Sequence, residues 1–304
     1  MSPILRGTFW MAMCMFSFAG VAVGARALSA DLSIVEILLF RSAFGVLLSL
    51  PWLVRNGFAG VKTVRFPLHL ARTAVNGVGM FCWFTALSLM AIGDVIALQF
   101  TTSLFLVIMA ATFLGEKVGA RRWLATLVGF GGALIIIRPG FAEITAGVFF
   151  VLAAAVLYAA NHAMTKPLVH TENGGQIVFY MNAILLPVFL ALAPFAWTMP
   201  APSHVGWIVL LGVCGATSHI FLARAIRLAD LSYLAPIDFL KLPVAAGAGY
   251  FLFGDSSGPW TWVGAAVIFG AGYYNTMCER TRERERMAAP EEGDGMGRTN
   301  RGMN

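Results

Sequence analysis

Ten apolar runs of spanning length, joined by short connections, constrain this chain more than any other feature. They lie at Thr8–Leu28, Ile34–Val54, Leu68–Leu89, Gly93–Leu114, Trp123–Ile137, Thr145–Thr165, Gln176–Trp197, Val205–Ile226, Ser232–Phe253 and Trp260–Met277. A helix crosses a bilayer in about 20 mostly apolar residues. Of the 304 residues, 59% are hydrophobic and 12% charged, whereas soluble domains are about 45–50% apolar and 25% charged. The fold class that follows is an all-α polytopic membrane protein of ten transmembrane helices, with little extramembrane mass. A net charge of +6 does not point to nucleic acid, because the basic residues sit in the connections and the tail. Membrane lipid is the expected surrounding.

The chain repeats itself. Leu114 to Leu134 aligns without a gap on Phe253 to Tyr273, at an offset of 139 residues. Gly115, Gly119, Trp123, Val128, Phe130 and Gly131 meet Gly254, Gly258, Trp262, Val267, Phe269 and Gly270, and Glu116 meets Asp255. The same offset lays Ala86 over Ala225 and Gln99 over Asp238. Each half holds five spans, and an odd number inserts the second half upside down. Two inverted five-helix repeats are a plan of secondary transporters, with the site near the midplane where the halves meet. The expected divisions are 7–138 for the first repeat (spans 1–5), 145–278 for the second (spans 6–10), and 279–304 for a charged, disordered cytoplasmic tail.

Lys and Arg counts set the expected orientation. With the N-terminus inside, 17 of the 21 fall on the inner side, Arg26 and Arg138 outside, and Arg41 and Lys241 within spans. The positive-inside rule then places both termini in the cytoplasm of a multi-pass cell (inner) membrane protein. The first run resembles a signal peptide but reads as an uncleaved span, since many more follow. Cys14, Cys82, Cys214 and Cys278 lie in or beside apolar runs without metal-like spacing, so free thiols are expected and no metal site. A Walker-type GxxxxGK[ST] is absent, so no ATP chemistry and no cofactor is expected.

The stretch Leu231 to Gly254 carries Asp238 and Lys241 inside an otherwise apolar span, flanked by Pro236 and Pro243. A charge at the bilayer centre costs about 2.5–3.5 kcal/mol on insertion scales, and intramembrane charges mark functional sites by default. Three residues apart, the two share a helix face and offset one another. A structural ion pair pinning helices together is compatible with this. By the offset, Gln99 and Thr102 in span 4 correspond to Asp238 and Lys241 in span 9, each pair about 9–14 Å into its span. The four could ring a substrate, with Thr101 and Ser103 adding hydroxyls.

Arg41 lies about 10 Å from the outer edge of span 2. It could bind a carboxylate or phosphate with its planar fork, or snorkel outward. Glu36 reads as interfacial. Asn161 and His162 in span 6, and Ser218 and His219 in span 8, are polar breaks in apolar runs. Imidazole titrates near neutral pH, so either histidine could carry a coupling proton, or simply be satisfied structurally. Asn76 sits among Gly77 and Gly79, where close helix approach competes with ligand binding. Trp10, Phe81, Trp83, Phe100 and Tyr158 could stack on a flat or cationic substrate, or face lipid. Gly129, Gly131, Gly132, Gly264, Gly270 and Gly272 suit close helix packing or a homodimer contact.

Ala86 to Gly140, ALSLMAIGDVIALQFTTSLFLVIMAATFLGEKVGARRWLATLVGFGGALIIIRPG, resembles an EamA-type repeat of the drug/metabolite transporter superfamily. ARAIRLADLSYLAPIDFLKLPVAAGAGYFLFGD with the following PWTWVGAAVIFGAG resembles its second copy. The likeness covers nearly all of 7–278. It implies ten helices around a central cavity, with spans 3, 4, 8 and 9 near the pathway and spans 5 and 10 packing at the ends. It implies no enzyme, but a secondary transporter working by alternating access. The cargo would be a small polar or amphipathic metabolite: an amino acid, or a vitamin or cofactor-like compound such as riboflavin or S-adenosylmethionine. A drug/metabolite efflux pump of the same fold is the alternative. A polytopic membrane enzyme is a further class, poorly served by short loops rich in Arg and Lys. The family often has proline where Ser103 stands, so a weaker kink is expected in the first half.

Overall fold

The computed structural model describes residues 3–57, 61–112, 118–140, 143–168, 171–228, 234 and 237–288. Among them the regular structure is helical, without a strand. The helices are α1 (Pro3–Leu28), α2 (Ile34–Asn56), α3 (Phe66–Leu89), α4 (Ile92–Gln99), α5 (Thr102–Thr112), α6 (Ala120–Ile137), α7 (Ala146–Thr165), α8 (Gly174–Leu192), α9 (His204–Leu228), α10 (Lys241–Phe253) and α11 (Pro259–Ala288). Seven of the described segments are long and apolar enough to cross a membrane; α4 and α5 count together as one. Helix α3 has the length, at 24 residues, but His69, Arg72, Thr73 and Asn76 crowd its first half.

The helices pair lengthwise. α1 runs along α9, α3 along α7, α2 along α8, α6 along α11, and α4 along α10. The offset of 139 carries α1 onto α7, α2 onto α8, α3 onto α9, α5 onto α10 and α6 onto α11. The α1–α9 and α3–α7 pairings therefore map onto each other, and the α2–α8 and α6–α11 pairings each onto itself. Lipid tails are as apolar as leucine, so packing here rests on close van der Waals contact rather than on the hydrophobic effect. Leu28, Ile37, Leu87, Ile96, Leu98, Leu104, Leu211 and Leu242 are fully buried, while Phe16, Leu124, Leu127, Phe149 and Phe251 cover the perimeter. At the α6–α11 crossing the glycines face backbone rather than side chains. A Cβ at Gly132 would lie 2.8 Å from the Gly264 carbonyl oxygen and 3.0 Å from Ile268 N. Gly129, Gly132, Gly264 and Gly272 are thus used within the chain, whereas Gly131 and Gly270 border open space.

The fourth span is broken. Helix α4 ends at Gln99, Phe100 and Thr101 form a turn, and α5 begins at Thr102. Residues 239–240 make the matching turn before α10 begins at Lys241. The first-half break forms without a proline at Ser103. Side chains replace the proline's effect: the Thr101 hydroxyl donates to the Leu98 carbonyl at 2.7 Å, and Ser103 Oγ to the Phe100 carbonyl at 2.9 Å. Such back-bonds compete with the backbone ladder and bend helices. Pro236 lies outside the described residues. The charged start of the tail continues the last helix. α11 continues to Ala288, because Glu and Arg are good helix formers; residues 289–304 lie outside the described ones.

Each end of the bundle is tied by polar groups. At the end where α1 and α3 finish, Arg26 donates to the carbonyls of Leu87 (2.8 Å) and Ser88 (2.7 Å) and pairs with Asp255 at 3.5 Å. Asp255 also accepts the N–H of Ile92, and Thr261 donates to Asp94 at 2.7 Å. Removing the carboxylate leaves a partly buried guanidinium and a helix N–H without it. Asp255→Ala is therefore expected to lower stability by about 2 kcal/mol, read from equilibrium unfolding in mixed micelles. Glu36 at this same end is fully buried. It closes a capping box with Ser33 and accepts the Thr198 N–H at 2.8 Å.

Candidate functional site

The site forms where the two helix breaks meet. Lys241, the first residue of α10, places Nζ 2.7 Å from Asp238 Oδ2 across its break. Gln99 Nε2 donates to Thr102 Oγ1 at 2.8 Å across the other. The same i, i+3 bridge thus occurs at equivalent positions of both repeats, ionic in one and neutral in the other. The residues between them meet face to face: Phe100 and Phe239, equivalent by the offset, stack at 5.6 Å between centroids. Phe269 closes on both, 4.6 Å from Phe239 and 6.1 Å from Phe100. Lys241 Nζ stands 4.5 Å from the Phe100 centroid and 5.8 Å from that of Phe18, a cation–π arrangement that binds the two halves.

Other helices bring further groups. Arg41 on α2 donates to Met80 Sδ at 3.6 Å, a weak acceptor, and lies along the backbone of α9 at Gly215. It does not snorkel outward. Arg41 and Tyr158 of α7 act on one another electrostatically, and among the described residues no carboxylate acts on Arg41. His219 on α9 lies in the fields of Arg41, Arg72 and His162; His162 on α7 lies in those of Arg72 and Lys241. Both histidines lie along continuous helices. Cys14 on α1 is bonded to the Ser218 carbonyl at 3.3 Å and feels Asp238 and Lys241. Arg41, Tyr158, His219, His162, Lys241 and Asp238 are thus linked in a chain of pairwise electrostatic interactions across α2, α7, α9 and the 238–241 break.

Trp83 is 3% exposed, packs on Phe18 at 5.6 Å, and leaves its indole N–H without a partner among the described residues. Gln99 Oε1 is likewise buried without one. Buried polar atoms are nearly always satisfied, so these two are groups with bonding capacity to offer. Asn76 is spent differently: its amide donates to the sulfurs of Met80 (3.2 Å) and Met181 (3.3 Å). Its neighbours Gly77 and Gly79 serve close approach to Leu185 and Leu157. Thr102 holds Gln99. His162 also borders a cavity of about 300 Å³ with Ser103, Arg122, Lys166, Asn275 and Thr276.

Two aromatic candidates lie elsewhere. Trp10 stacks on Phe221 under Arg224, whose guanidinium is 4.6 Å from its ring, and Phe81 is exposed on the perimeter. Phe18, Met80, Phe239, Phe269 and Cys14 were not candidates from sequence. The offset pairs Phe100 with Phe239 and Phe130 with Phe269, and that was the available signal. The four cysteines are free thiols.

Known proteins match along most of the chain. A riboflavin transporter of Rhizobium johnstonii is 32% identical over 287 residues, covering 93% of this chain and 95% of that one. A riboflavin transporter of Vibrio cholerae is 32% identical over 286 residues, covering 92% and 96%. An S-adenosylmethionine uptake transporter of Rickettsia felis is 27% identical over 276 residues, covering 91% and 94%. A solved crystal structure at 16% identity superposes with a TM-score of 0.59 over 92% of this chain and 98% of its own, a likeness of fold. The EamA-like transporter family matches twice, at residues 5–138 and again at 145–276. With a repeated match that takes in both helix breaks and the charged pair across the second, the chain belongs to the EamA-like transporter family and is a multi-pass membrane protein that transports a metabolite.

Proposed function

We propose that this carrier takes a flat, neutral, hydrogen-bonding metabolite of the riboflavin kind. The observation that carries this reading is the charge of the lining. Asp238 is held by Lys241, while Arg41, linked to Lys241 through His219 and His162, has no carboxylate acting on it among the described residues. The lining is therefore net positive among the described residues. A sulfonium cation such as S-adenosylmethionine would meet like charge there, which costs affinity in a low-dielectric site. A neutral isoalloxazine ring would stack on Trp83, Phe18 or Phe100 and use Gln99 Oε1 and the Trp83 N–H.

The transport mode we propose is alternating access by two inverted five-span halves, 7–138 and 145–278, with both termini cytoplasmic in the inner membrane. The self-mapping helix pairs, the doubled break and the Lys/Arg count support it. Asp238, Lys241, Gln99, Arg41, Trp83, Tyr158, His162 and His219 would touch or tune the substrate; Thr102 and Asn76 would position their neighbours. The test is counterflow in liposomes preloaded with unlabelled compound. Labelled riboflavin is expected to accumulate saturably, and labelled S-adenosylmethionine to stay at the level of empty liposomes. Accumulation of S-adenosylmethionine instead would overturn the charge argument.

A further inference from the structure

A cavity of about 300 Å³ adjoins the site between α5, α6, α7 and α11, and its polar wall is Ser103, Arg122, His162, Lys166, Asn275 and Thr276. Liquid water takes about 30 Å³ a molecule, so the room is that of about ten waters or of one five-carbon polyol. Ser103 and Gly272, both in the lining, each come three residues after a ring of the aromatic stack, Phe100 and Phe269. The cavity therefore begins about one turn beyond that stack.

The repeat does not call for a polar wall. The 139-residue offset lays Ser103 on Leu242, His162 on Val23, Asn275 on Ile136 and Thr276 on Ile137. Those four counterparts pack in or against the apolar core. Polar groups at only one of two equivalent places answer to something other than the architecture.

The neutral groups of the wall are left as acceptors. Ser103 Oγ donates to the Phe100 carbonyl at 2.9 Å, and Thr276 Oγ1 to the Gly272 carbonyl at 3.0 Å. The Asn275 amide donates to Thr126 Oγ1 at 3.1 Å. Thr126 sends its own proton to the Arg122 carbonyl at 2.8 Å, so it accepts from Asn275, and this fixes which end of the amide faces it. The other end, Asn275 Oδ1, is buried on a residue 3% exposed and has no partner among the described residues. Ser103 Oγ, Thr276 Oγ1 and Asn275 Oδ1 thus offer lone pairs. A carboxylate or phosphate would set more lone pairs against them. An ammonium would supply protons but would meet Arg122 and Lys166, and among the described residues no carboxylate lines the cavity. A neutral hydroxyl suits both sides, because its proton goes to an acceptor while its oxygen accepts from a basic neighbour.

We propose that this cavity is a binding site for a polyhydroxylated chain, a neutral polyol of about five carbons. Successive hydroxyls donate to Asn275 Oδ1, Ser103 Oγ and Thr276 Oγ1, and the apolar residues of α5 meet the C–H edges of the chain. On the riboflavin reading, which this consequence rests on, the polyol is the pentitol chain of the flavin. The ring then stacks at Phe100 while the chain lies in the cavity.

The test uses the free chain, so a wrong cargo leaves it standing. Thr276→Cys is made in the full chain with its four native cysteines replaced by alanine, and its alkylation by a maleimide is timed in the purified protein. Ribitol at about 0.3 M is expected to slow the reaction about threefold or more, since an occupied cavity shields the thiol. Two controls at the same concentration are expected to leave the rate unchanged. Pentane-1,5-diol has the length without the inner hydroxyls. Sucrose has the hydroxyls in a molecule too large to enter, and reports any effect of exclusion from the protein surface. Asn275→Ile, which installs the residue of the other repeat, is expected to remove the ribitol effect. Ser103→Ala serves if that variant does not fold, and Ala163→Cys if Thr276→Cys does not. No slowing by ribitol, equal slowing by either control, or slowing that survives the loss of the acceptor overturns the proposal and leaves a cavity that holds water only. Ribitol protection in a protein that exchanges no riboflavin supports the cavity and overturns the cargo reading alone.

Discussion

Lys241→Met in proteoliposomes is expected to exchange riboflavin about tenfold more slowly than wild type, or less, equivalent to at least ~1.4 kcal/mol in the barrier. The substitution keeps the length and apolar stem of the side chain. It removes the ammonium 2.7 Å from Asp238 and 4.5 Å from the Phe100 centroid. Asp238 is then left in the site without its partner, and the lining loses a positive charge. A slow single variant alone does not separate function from structure, because a broken buried pair destabilises by leaving one charge uncompensated. The double variant Asp238→Asn/Lys241→Met makes the separation. With both charges gone nothing is left uncompensated, so folding is expected to return while exchange stays slow. Exchange at the wild-type rate in the double variant would reduce the pair to a helix-to-helix clamp.

Gly132→Leu is expected to abolish recovery of monodisperse protein from detergent extracts, while Gly131→Leu purifies as wild type does. The two positions are adjacent on α6 and equally apolar in surroundings. At Gly132 a Cβ alone would sit 2.8 Å from the Gly264 carbonyl oxygen and 3.0 Å from Ile268 N, both backbone atoms of α11. Neither can turn aside as a side chain does, so α6 and α11 must separate. Overpacking costs about 1–3 kcal/mol where side chains can adjust, and more where they cannot. At Gly131 a Cβ meets nothing within 4 Å. Size-exclusion profiles of the two variants read the difference. Equal profiles would mean that the α6–α11 crossing is not a fixed contact.

Much of the architecture was legible before any coordinates. The apolar runs define helices because hydrocarbon offers no other partner for the backbone. The 139-residue offset predicts which helices correspond, and it holds down to the turn at 100–101 and its counterpart at 239–240. Asp238 and Lys241 stood out because charge within an apolar run is costly. Their meeting in one bond follows from spacing alone.

Other features carried no such mark. In a bundle that is apolar inside and out, helical periodicity does not tell a lipid-facing phenylalanine from one lining a site; Phe81 and Phe100 read alike, and only packing separates them. Arg41 could have snorkelled or turned inward, and its seat against Gly215 on α9 decides that. Glu36 reads as interfacial, and the Thr198 N–H that it accepts comes from 162 residues away. His69 bonds to Glu172, 103 residues away, in a segment whose nearness depends on α3 packing along α7. Local sequence specifies where helices start, break and repeat, because those are short-range backbone and solvation effects. Which polar groups meet is a long-range matter, set by how closely the glycines let one helix approach another.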